Sequence, residues 1–509
     1  MKRAVSLSAA VLAAASSIPA QAAGSSCESL KDLRLPHTTI TMAQITPAGQ
    51  FTAPPGGPGA QGPAPYESLP AFCRVGATIA PTSDSDIKIE VWLPEAGWNG
   101  KFQAVGNGGW SGSIVYGALA RALQRGYATA STDTGHSGGS GSFALGHPEK
   151  LIDFGYRAVH EMTVQAKAVV AAFYGAGPKF SYWVGCSSGG KQGLKEAQKY
   201  PGDFNGIVAG APANYWTHLM TGALWIGHAT LKDPASYIPP AKYPLINKAA
   251  LEACDALDGV SDGLLENPAR CGFDPKVLLC KGEDAPSCLT AGQVEAARKI
   301  YGPARSPSTG KEIFPGLAKG SELGWGALAG GPKPFPIPDD HFKYVVFKNT
   351  NWDWRTLDFD KDLALADKID NGTINATDPD LKKFAGRGGK LILYHGWNDQ
   401  LIAPMNSVNY YNSVVGKMGG AAKVENSIRL FMAPGMGHCA GGPGPNTFDA
   451  LKALEQWVEH GKAPDRIEAS HMAGGKADRT RPLCPYPQVA KYTGTGSTDE
   501  AANFTCAAE

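Results

Sequence analysis

No stretch of this chain approaches the ~20 consecutive apolar residues that a membrane-spanning helix needs. Neither charge is in excess: 47 Lys and Arg stand against 46 Asp and Glu, evenly spread, for a net charge of +1. Without a basic patch there is no electrostatic footprint for nucleic acid or an anionic membrane, and neither is expected as a partner. None of the ten cysteines forms a C-x-x-C pair, which argues against a zinc site. No internal repeat is present. Gly (63) and Pro (38) make up about a fifth of the chain, short of the level that signals disorder, and point to a loop-rich fold. With 43% hydrophobic residues the chain can bury a large core, as one big domain with an insertion or as two domains.

The N-terminus has Lys2-Arg3, an apolar run from Ala4 to about Ile18, then Ala20-Gln21-Ala22. That order reads as a secretory signal peptide over residues 1–22, its core too short for an anchor. The mature protein is expected to be soluble and exported, secreted or periplasmic. In such a compartment an even cysteine count suggests disulfides. The sequence alone leaves their connectivity open. Local spacing favours Cys27–Cys73, Cys254–Cys271, Cys280–Cys288 and Cys484–Cys506, which leaves Cys186 and Cys439 for each other.

From about Asp86 strands and helices alternate. Ile87–Leu93 alternates as a half-buried strand, and 101–105, 127–131, 180–184 and 206–210 read as further strands. Helices are expected over 113–124, 156–174 and 190–199. After a long interruption the pattern resumes with strands at 390–394 and 428–432 and helices at 405–417 and 448–460. This alternation predicts the α/β class, a mainly parallel sheet covered by helices. The interruption, residues 214–383, predicts an inserted subdomain that splits the α/β domain into 23–213 and 384–509. An insertion at the strand ends of such a sheet caps the site there.

Gly-x-Ser-x-Gly occurs three times, around Ser137, Ser187 and Ser261. A nucleophile elbow needs a strand before it and a helix after it, and only Gly185-Cys186-Ser187-Ser188-Gly189 has both. On such a sheet the triad runs Ser, acid, His. The best acid is Asp399, in His395-Gly-Trp-Asn-Asp399; the best base is His438, in Gly437-His438-Cys439. A Cys186–Cys439 bond would hold its Cα atoms roughly 4.4–6.8 Å apart and strap nucleophile to base. His136 and His395 fall near the site and remain candidate contacts, with a structural role ranked first for each. Oxyanion donors are expected from the backbone N–H of Ser188 and of Gly109, with Gly108 next, in the loop Gly106-Asn-Gly-Gly-Trp110.

Asp255, Asp258 and Asp262 crowd one glycine-containing loop between Cys254 and Cys271. Oxygen donors at that density suit Ca²⁺, with the carbonyls of Val260 and Leu264 completing the shell; the alternative is a solvated acidic turn.

Taken together these motifs resemble the tannase and feruloyl esterase family, which also includes bacterial hydrolases of mono(2-hydroxyethyl) terephthalate. The resemblance rests on Gly185-Cys-Ser-Ser-Gly-Gly-Lys-Gln-Gly193, Cys254-Asp-Ala-Leu-Asp-Gly-Val-Ser-Asp-Gly263, Leu391-Ile-Leu-Tyr-His-Gly396, Pro434-Gly-Met-Gly-His-Cys439 and Arg481-Pro-Leu-Cys-Pro-Tyr486. It implies an α/β-hydrolase core with a large inserted lid after the strand ending near Gly210, and all five disulfides. It also implies a structural Ca²⁺ on Asp255, Asp258, Val260, Asp262 and Leu264, and oxyanion donors at Gly109 and Ser188. Substrates of the family are aromatic acyl esters, small or linked to plant polymers. Candidate pocket aromatics in the insertion are Trp216, Trp225, Trp325, Phe335, Phe342, Trp352 and Trp354. The terephthalate hydrolases hold the substrate carboxylate with a lid arginine, and none lies between Trp325 and Trp354; Arg355, Lys333, Lys343 or Lys348 would have to serve. Hydroxycinnamoyl (feruloyl) esters therefore rank first and galloyl esters second. A Ca²⁺-dependent binding protein without catalysis is the alternative from another class. It would be expected to lack one of Ser187, Asp399 and His438, yet all three stand in context. A peptidase on the same fold is the other rival, since a triad does not choose between ester and amide.

Overall fold

The computed structural model describes residue 1 and residues 24–54, 66–110 and 112–508. Apart from Met1, the expected leader lies outside the described residues.

The strands are β1 (Thr38–Thr46), β2 (Phe72–Ile79), β3 (Ile87–Pro94), β4 (Lys101–Val105), β5 (Ala128–Thr132), β6 (Phe180–Cys186) and β7 (Gly206–Gly210). After them come β8 (Ala304–Arg305), β9 (Glu312–Phe314), β10 (Lys390–Gly396) and β11 (Ile428–Ala433). The C-terminal strands are β12 (Ile467–Ala473), β13 (Lys476–Leu483), β14 (Val489–Tyr492) and β15 (Phe504–Ala507). Nine of these form one sheet in the order β1-β2-β3-β5-β4-β6-β7-β10-β11. β1, β2, β3 and β5 pair antiparallel, and every pair from β5 to β11 is parallel. A parallel sheet is covered on both faces, so its strands carry little polar surface; β5 and β7 are buried throughout. This is an α/β-hydrolase fold.

The expected strands and helices of the α/β part are all present, with ends moved by up to three residues. Three features differ. β1 and β2 precede the first expected strand, and the Cys27–Cys73 bond ties β2 to the N-terminal segment. β3, expected as half-buried, is buried except for Lys88. Its inward Glu90 is tolerated because Arg74 Nε and Trp92 Nε1 each donate to it at 2.8 Å. The chain also ends in two hairpins, β12–β13 and β14–β15, stapled by Cys484–Cys506, which the sequence pattern did not reveal.

Between β7 and β10 the chain leaves the sheet and builds a mainly helical layer whose apolar core also takes in Trp110, Phe154 and Ile402 from the sheet-bearing part. Helix Trp216–Leu231 is apolar on nearly every side and sits at its centre, as an all-round apolar helix must. Ala291–Tyr301 begins with a capping box, in which Thr290 and Gln293 satisfy each other's backbone N–H groups. Among the described residues no helix is long and apolar enough to cross a membrane.

Candidate active site

β6 passes into helix Ser188–Lys199 through Ser187 alone, at φ 63°, ψ −122°. A residue with a Cβ held there costs about 1–3 kcal/mol and needs surroundings that enforce it. Ser187 N donates to the Gly210 carbonyl at 3.0 Å, and the Ser187 carbonyl accepts from Lys191 N (3.0 Å) and Ala213 N (3.1 Å). The flanking glycines are required by proximity: a Cβ on Gly185 would lie 2.5 Å from the Gly189 carbonyl oxygen. The other two motif serines sit in loops that lead into no such helix.

All five expected disulfides are formed. Cys186–Cys439 has its Cα atoms 6.0 Å apart and brings the loop after β11 against the elbow. That loop carries His438, whose Nδ1 lies 2.7 Å from Asp399 Oδ2. Gln400 steadies it by accepting from His438 N through Oε1 at 3.2 Å. Asp399 is fully buried, and its Oδ1 accepts from the backbone N–H groups of Leu401 (2.8 Å) and Ile402 (2.9 Å).

His395, expected to be structural, holds the same carboxylate: its Nε2 is 3.0 Å from Asp399 Oδ2 and 3.1 Å from the Ile402 carbonyl. Both partners are acceptors, so Nε2 carries the proton, and Nδ1 accepts from Ser407 Oγ at 2.7 Å. The i, i+4 spacing of His395 and Asp399 across a tight turn was the available signal for this contact. His136 lies further off, buried with Nε2 2.7 Å from the Trp110 carbonyl and its ring stacked on Phe143.

Burial opposes charge on Asp399, but the neighbouring His438 and the hydrogen bonds from both histidines hold its carboxyl well below the usual range. Burial likewise opposes a cation on His438, and Asp399 outweighs it, raising the imidazole above the ordinary 6.5. The arrangement provides a strained hydroxyl, an oriented imidazole and a permanent carboxylate.

Ser187, Ser188, Gly109 and His438 line one narrow cleft of about 50 Å³. Ser188 Oγ donates to the Gly109 carbonyl at 2.9 Å and ties the elbow to the 106–110 loop. Gly108 faces a different cavity. The rest of the cleft is apolar: Ala213, Trp216, Leu219, Met220, Ala223, Phe335, Ile337, Pro338, Leu401 and Ile402. Of the seven candidate aromatics only Trp216 and Phe335 line it. Trp325, Phe342 and Trp354 are spent on the core of the insertion, with Trp225 and Trp352 packed against them. The aliphatic walls carried no sequence signal, because nothing separates a pocket leucine from a core one before folding.

Trp216 is fixed on three sides. Its Nε1 donates to His341 Nδ1 at 3.3 Å, Trp110 meets it edge-on at 4.7 Å, and Lys191 Nζ lies 5.3 Å from its ring. Burial pushes His341 down to about 3, so it stands ready to accept. Among the described residues no Lys, Arg, Asp or Glu lines the cleft. Arg355 lies instead over Trp354 and 3.3 Å from Asp353, and Lys343 pairs with Asp339 at 2.6 Å.

The acidic loop forms a 3-10 turn, Asp255–Asp258, followed by left-handed Gly259 and Gly263. Its carboxylates turn to backbone N–H groups: Asp255 to Gly263 (3.0 Å), Asp258 to Val260 (2.9 Å), Asp262 to Leu264 (3.2 Å). Arg481 pairs with Asp262. The donor set is all hard oxygen, the chemistry that Ca²⁺ takes. A Cβ on Gly435, three residues before His438, would lie 2.6 Å from Leu264 Cδ2, so the end of this loop packs against the segment that leads to His438.

Comparison with known proteins agrees with this geometry. The family described as tannase and feruloyl esterase matches residues 73–507. An uncharacterized esterase of Xanthomonas campestris pv. campestris is 40% identical over 95% of this chain and 91% of its own. A probable feruloyl esterase B-2 of Aspergillus oryzae is 35% identical over 92% and 93%. Among solved structures, feruloyl esterase B from Aspergillus oryzae superposes with a TM-score of 0.89 at 32% identity, over 94% of this chain and 99% of that one. The tannin acyl hydrolase of Aspergillus niger, at 22% identity and TM-score 0.78 over 94% of each chain, shares the fold. The chain therefore belongs to the tannase and feruloyl esterase family and is a carboxylic ester hydrolase.

Proposed function

We propose that this esterase is an exported serine hydrolase of aromatic acyl esters, with hydroxycinnamoyl (feruloyl) esters first. The observation that carries the proposal is the convergence of Ser187 and of His438, held from behind by Asp399, on a cleft walled by Trp216 and Phe335. Ser187 Oγ attacks the ester carbonyl as His438 takes its proton, with Asp399 fixing the imidazole tautomer and stabilising its cation. The N–H groups of Ser188 and Gly109 hold the oxyanion. The alcohol leaves with the proton from His438, and water then cleaves the acyl-enzyme by the same route. Five disulfides support an oxidising compartment, secreted or periplasmic.

The insertion, residues 214–383, acts as the lid, since Trp216, Leu219, Met220 and Phe335 supply most of the acyl side. The cleft is narrow, so an aromatic ring enters by moving walls such as the unbranched Met220. A buried ring gains about 2–3 kcal/mol over an acetyl group, or about 30–150-fold in kcat/KM at equal leaving group. The test is a panel of methyl ferulate, methyl p-coumarate, methyl gallate, the terephthalate half-ester and p-nitrophenyl acetate. With no cationic side chain on the cleft, the half-ester should rank below the neutral phenolic esters; its coming first would overturn this order. Galloyl esters, also neutral, stand second.

The pH profile follows from the site. Only unprotonated His438 can take the serine proton. Because Asp399 raises its pKa, the protonated form persists to higher pH and the acid limb shifts upward. The acid limb of kcat/KM for methyl ferulate should therefore have its midpoint above 6.5, and a midpoint below it would contradict the assignment.

The loop Asp255, Asp258, Val260, Asp262 and Leu264 is proposed to hold a structural Ca²⁺, which would neutralise its crowded carboxylates. A ligand that binds only the folded state at 100 times its Kd adds about 2.7 kcal/mol. EGTA should lower Tm, with restoration by Ca²⁺. Because Leu264 packs on Gly435, activity should fall in the same range of chelator. An indifferent melting curve together with a calcium-free metal analysis would refute the site.

A further inference from the structure

Glu196 lies in helix Ser188–Lys199, about 12 Å along its axis from Ser188 at 1.5 Å per residue. Its side chain is fully buried, and neither carboxyl oxygen has a hydrogen-bond partner. A carboxylate buried without a donor is among the costliest groups a fold can carry, so something positive must meet it, a proton or a metal ion. Lys167 is the other cation at hand. Its Nζ donates to the Asp203 main-chain carbonyl and lies 5.6 Å from the Phe204 ring, and burial lowers its pKa. It offsets only part of the Glu196 charge: burial and the neighbouring Asp203 carboxylate still push the Glu196 carboxyl well above its ordinary range.

The groups around Glu196 are metal ligands. His160, from helix Ala158–Tyr174, and Asp203, from the turn before β7, each bring one donor atom. These and a Glu196 oxygen all lie within 4.8 Å of one another. Two ligands of one Zn²⁺, each bonded at about 2.0–2.2 Å, lie at most about 4.4 Å apart, so small side-chain movements close the set. The His160 ring is held by stacking on Tyr200, with centroids 3.7 Å apart, and its Nδ1 lies 2.6 Å from Asp203 Oδ2. The side chains of His160 and Asp203 are 26% and 15% exposed, which leaves an entry path from solvent to the buried Glu196.

We propose that His160, Glu196 and Asp203 form a structural Zn²⁺ site, separate from the acidic loop at 255–264. An imidazole nitrogen beside two carboxylates suits this borderline ion better than Ca²⁺ or Mg²⁺, which take oxygen ligands. The set contains no cysteine, so the missing C-x-x-C pair has no bearing on it. Three protein ligands leave a fourth, solvent-facing position for water. On binding, Glu196 gives its carboxyl proton to solvent, and His160 ligates through an unprotonated ring nitrogen. The ion clamps helix Ala158–Tyr174 to the helix that begins beside Ser187, and so supports the elbow without touching the cleft.

The test is calorimetric titration of the protein with Zn²⁺ in saturating Ca²⁺, so that any site at the acidic loop is already filled. One Zn²⁺ should bind per chain with release of a proton, and Tm should rise by a few degrees. Glu196→Gln keeps the shape of its side chain, and His160→Phe keeps the stack on Tyr200. Each should weaken Zn²⁺ binding by at least about tenfold and abolish the rise in Tm. The kcat/KM for methyl ferulate should stay within about twofold of wild type in both, since neither residue lines the cleft. Anomalous scattering at the zinc edge, from a crystal grown with Zn²⁺, needs no variant and should place the ion between the three side chains. If the wild type binds no Zn²⁺ the proposal falls, and a proton shared between Glu196 and Asp203 takes the ion's place. Binding that survives in the folded variants overturns it too, as does an anomalous peak found only elsewhere, such as at the paired His471 and Asp478. The readouts are metal and melting, so failure here is distinct from failure of the proposed esterase function.

Discussion

Ser187→Ala is expected to lower kcat toward methyl ferulate by about 10⁶-fold, nearly as much as removing all three triad members, because groups that act as one unit are not additive. The structure gives a specific reason to expect so complete a loss. Ser187 is the single residue between β6 and helix Ser188–Lys199, and its left-handed backbone exists only to raise its side chain into the cleft. No neighbour can replace it, since Ser188 Oγ is already committed to the Gly109 carbonyl. The fold should persist, because the backbone bonds of Ser187 to Gly210, Lys191 and Ala213 do not involve the hydroxyl. Unchanged Tm with kcat at the detection limit is the expected pair of results. Retention of more than a small fraction of activity in a clean preparation would remove Ser187 from the role.

Asp399→Asn is expected to lower kcat by about 10⁴-fold with KM little changed. The Asn oxygen can still accept from Leu401 N and Ile402 N, which leaves its NH₂ group facing His438 and His395. His438 would then present an unprotonated Nδ1 to that amide and carry its proton on Nε2, the wrong tautomer for a base. His395 cannot make the same change, because its Nε2–H also serves the Ile402 carbonyl. A buried donor facing a donor costs about 1–3 kcal/mol, so Tm should fall here, in contrast to Ser187→Ala. A kcat within tenfold of wild type would show that another acid orients His438.

These two variants rest on different kinds of information. The elbow was legible in the residues, since a glycine-flanked serine set between an alternating strand and a helix fits the geometry of a nucleophile turn, and proximity makes Gly185 obligatory. Asp399 and His438 followed from their order and from loops after strands, with the cysteines beside Ser187 and His438 adding a second constraint. For His395 the sequence left two roles open, because a histidine near a site looks the same whether it packs or holds a carboxylate. Only the turn that brings its Nε2 onto Asp399 distinguishes the two.

The sequence by itself determined the α/β class and the residues of the proposed triad, and it favoured the cysteine pairs that the structure forms. Each of these depends on short-range pattern: the strand period of two, turns, and residue types that only one chemistry uses. Only the tertiary structure decided which aromatics face Ser187, where the acidic loop sits, and that His160, Glu196 and Asp203 converge. Whether Trp216 or Trp325 reaches the cleft depends on how helices from distant parts of the insertion pack, and both are equally apolar beforehand. Leu264 meets Gly435 only because the insertion folds back on the loop that follows β11. Burial is a property of the whole packed chain, so its consequences, from the raised pKa of His438 to the unpaired carboxyl of Glu196, have no signature in any local stretch.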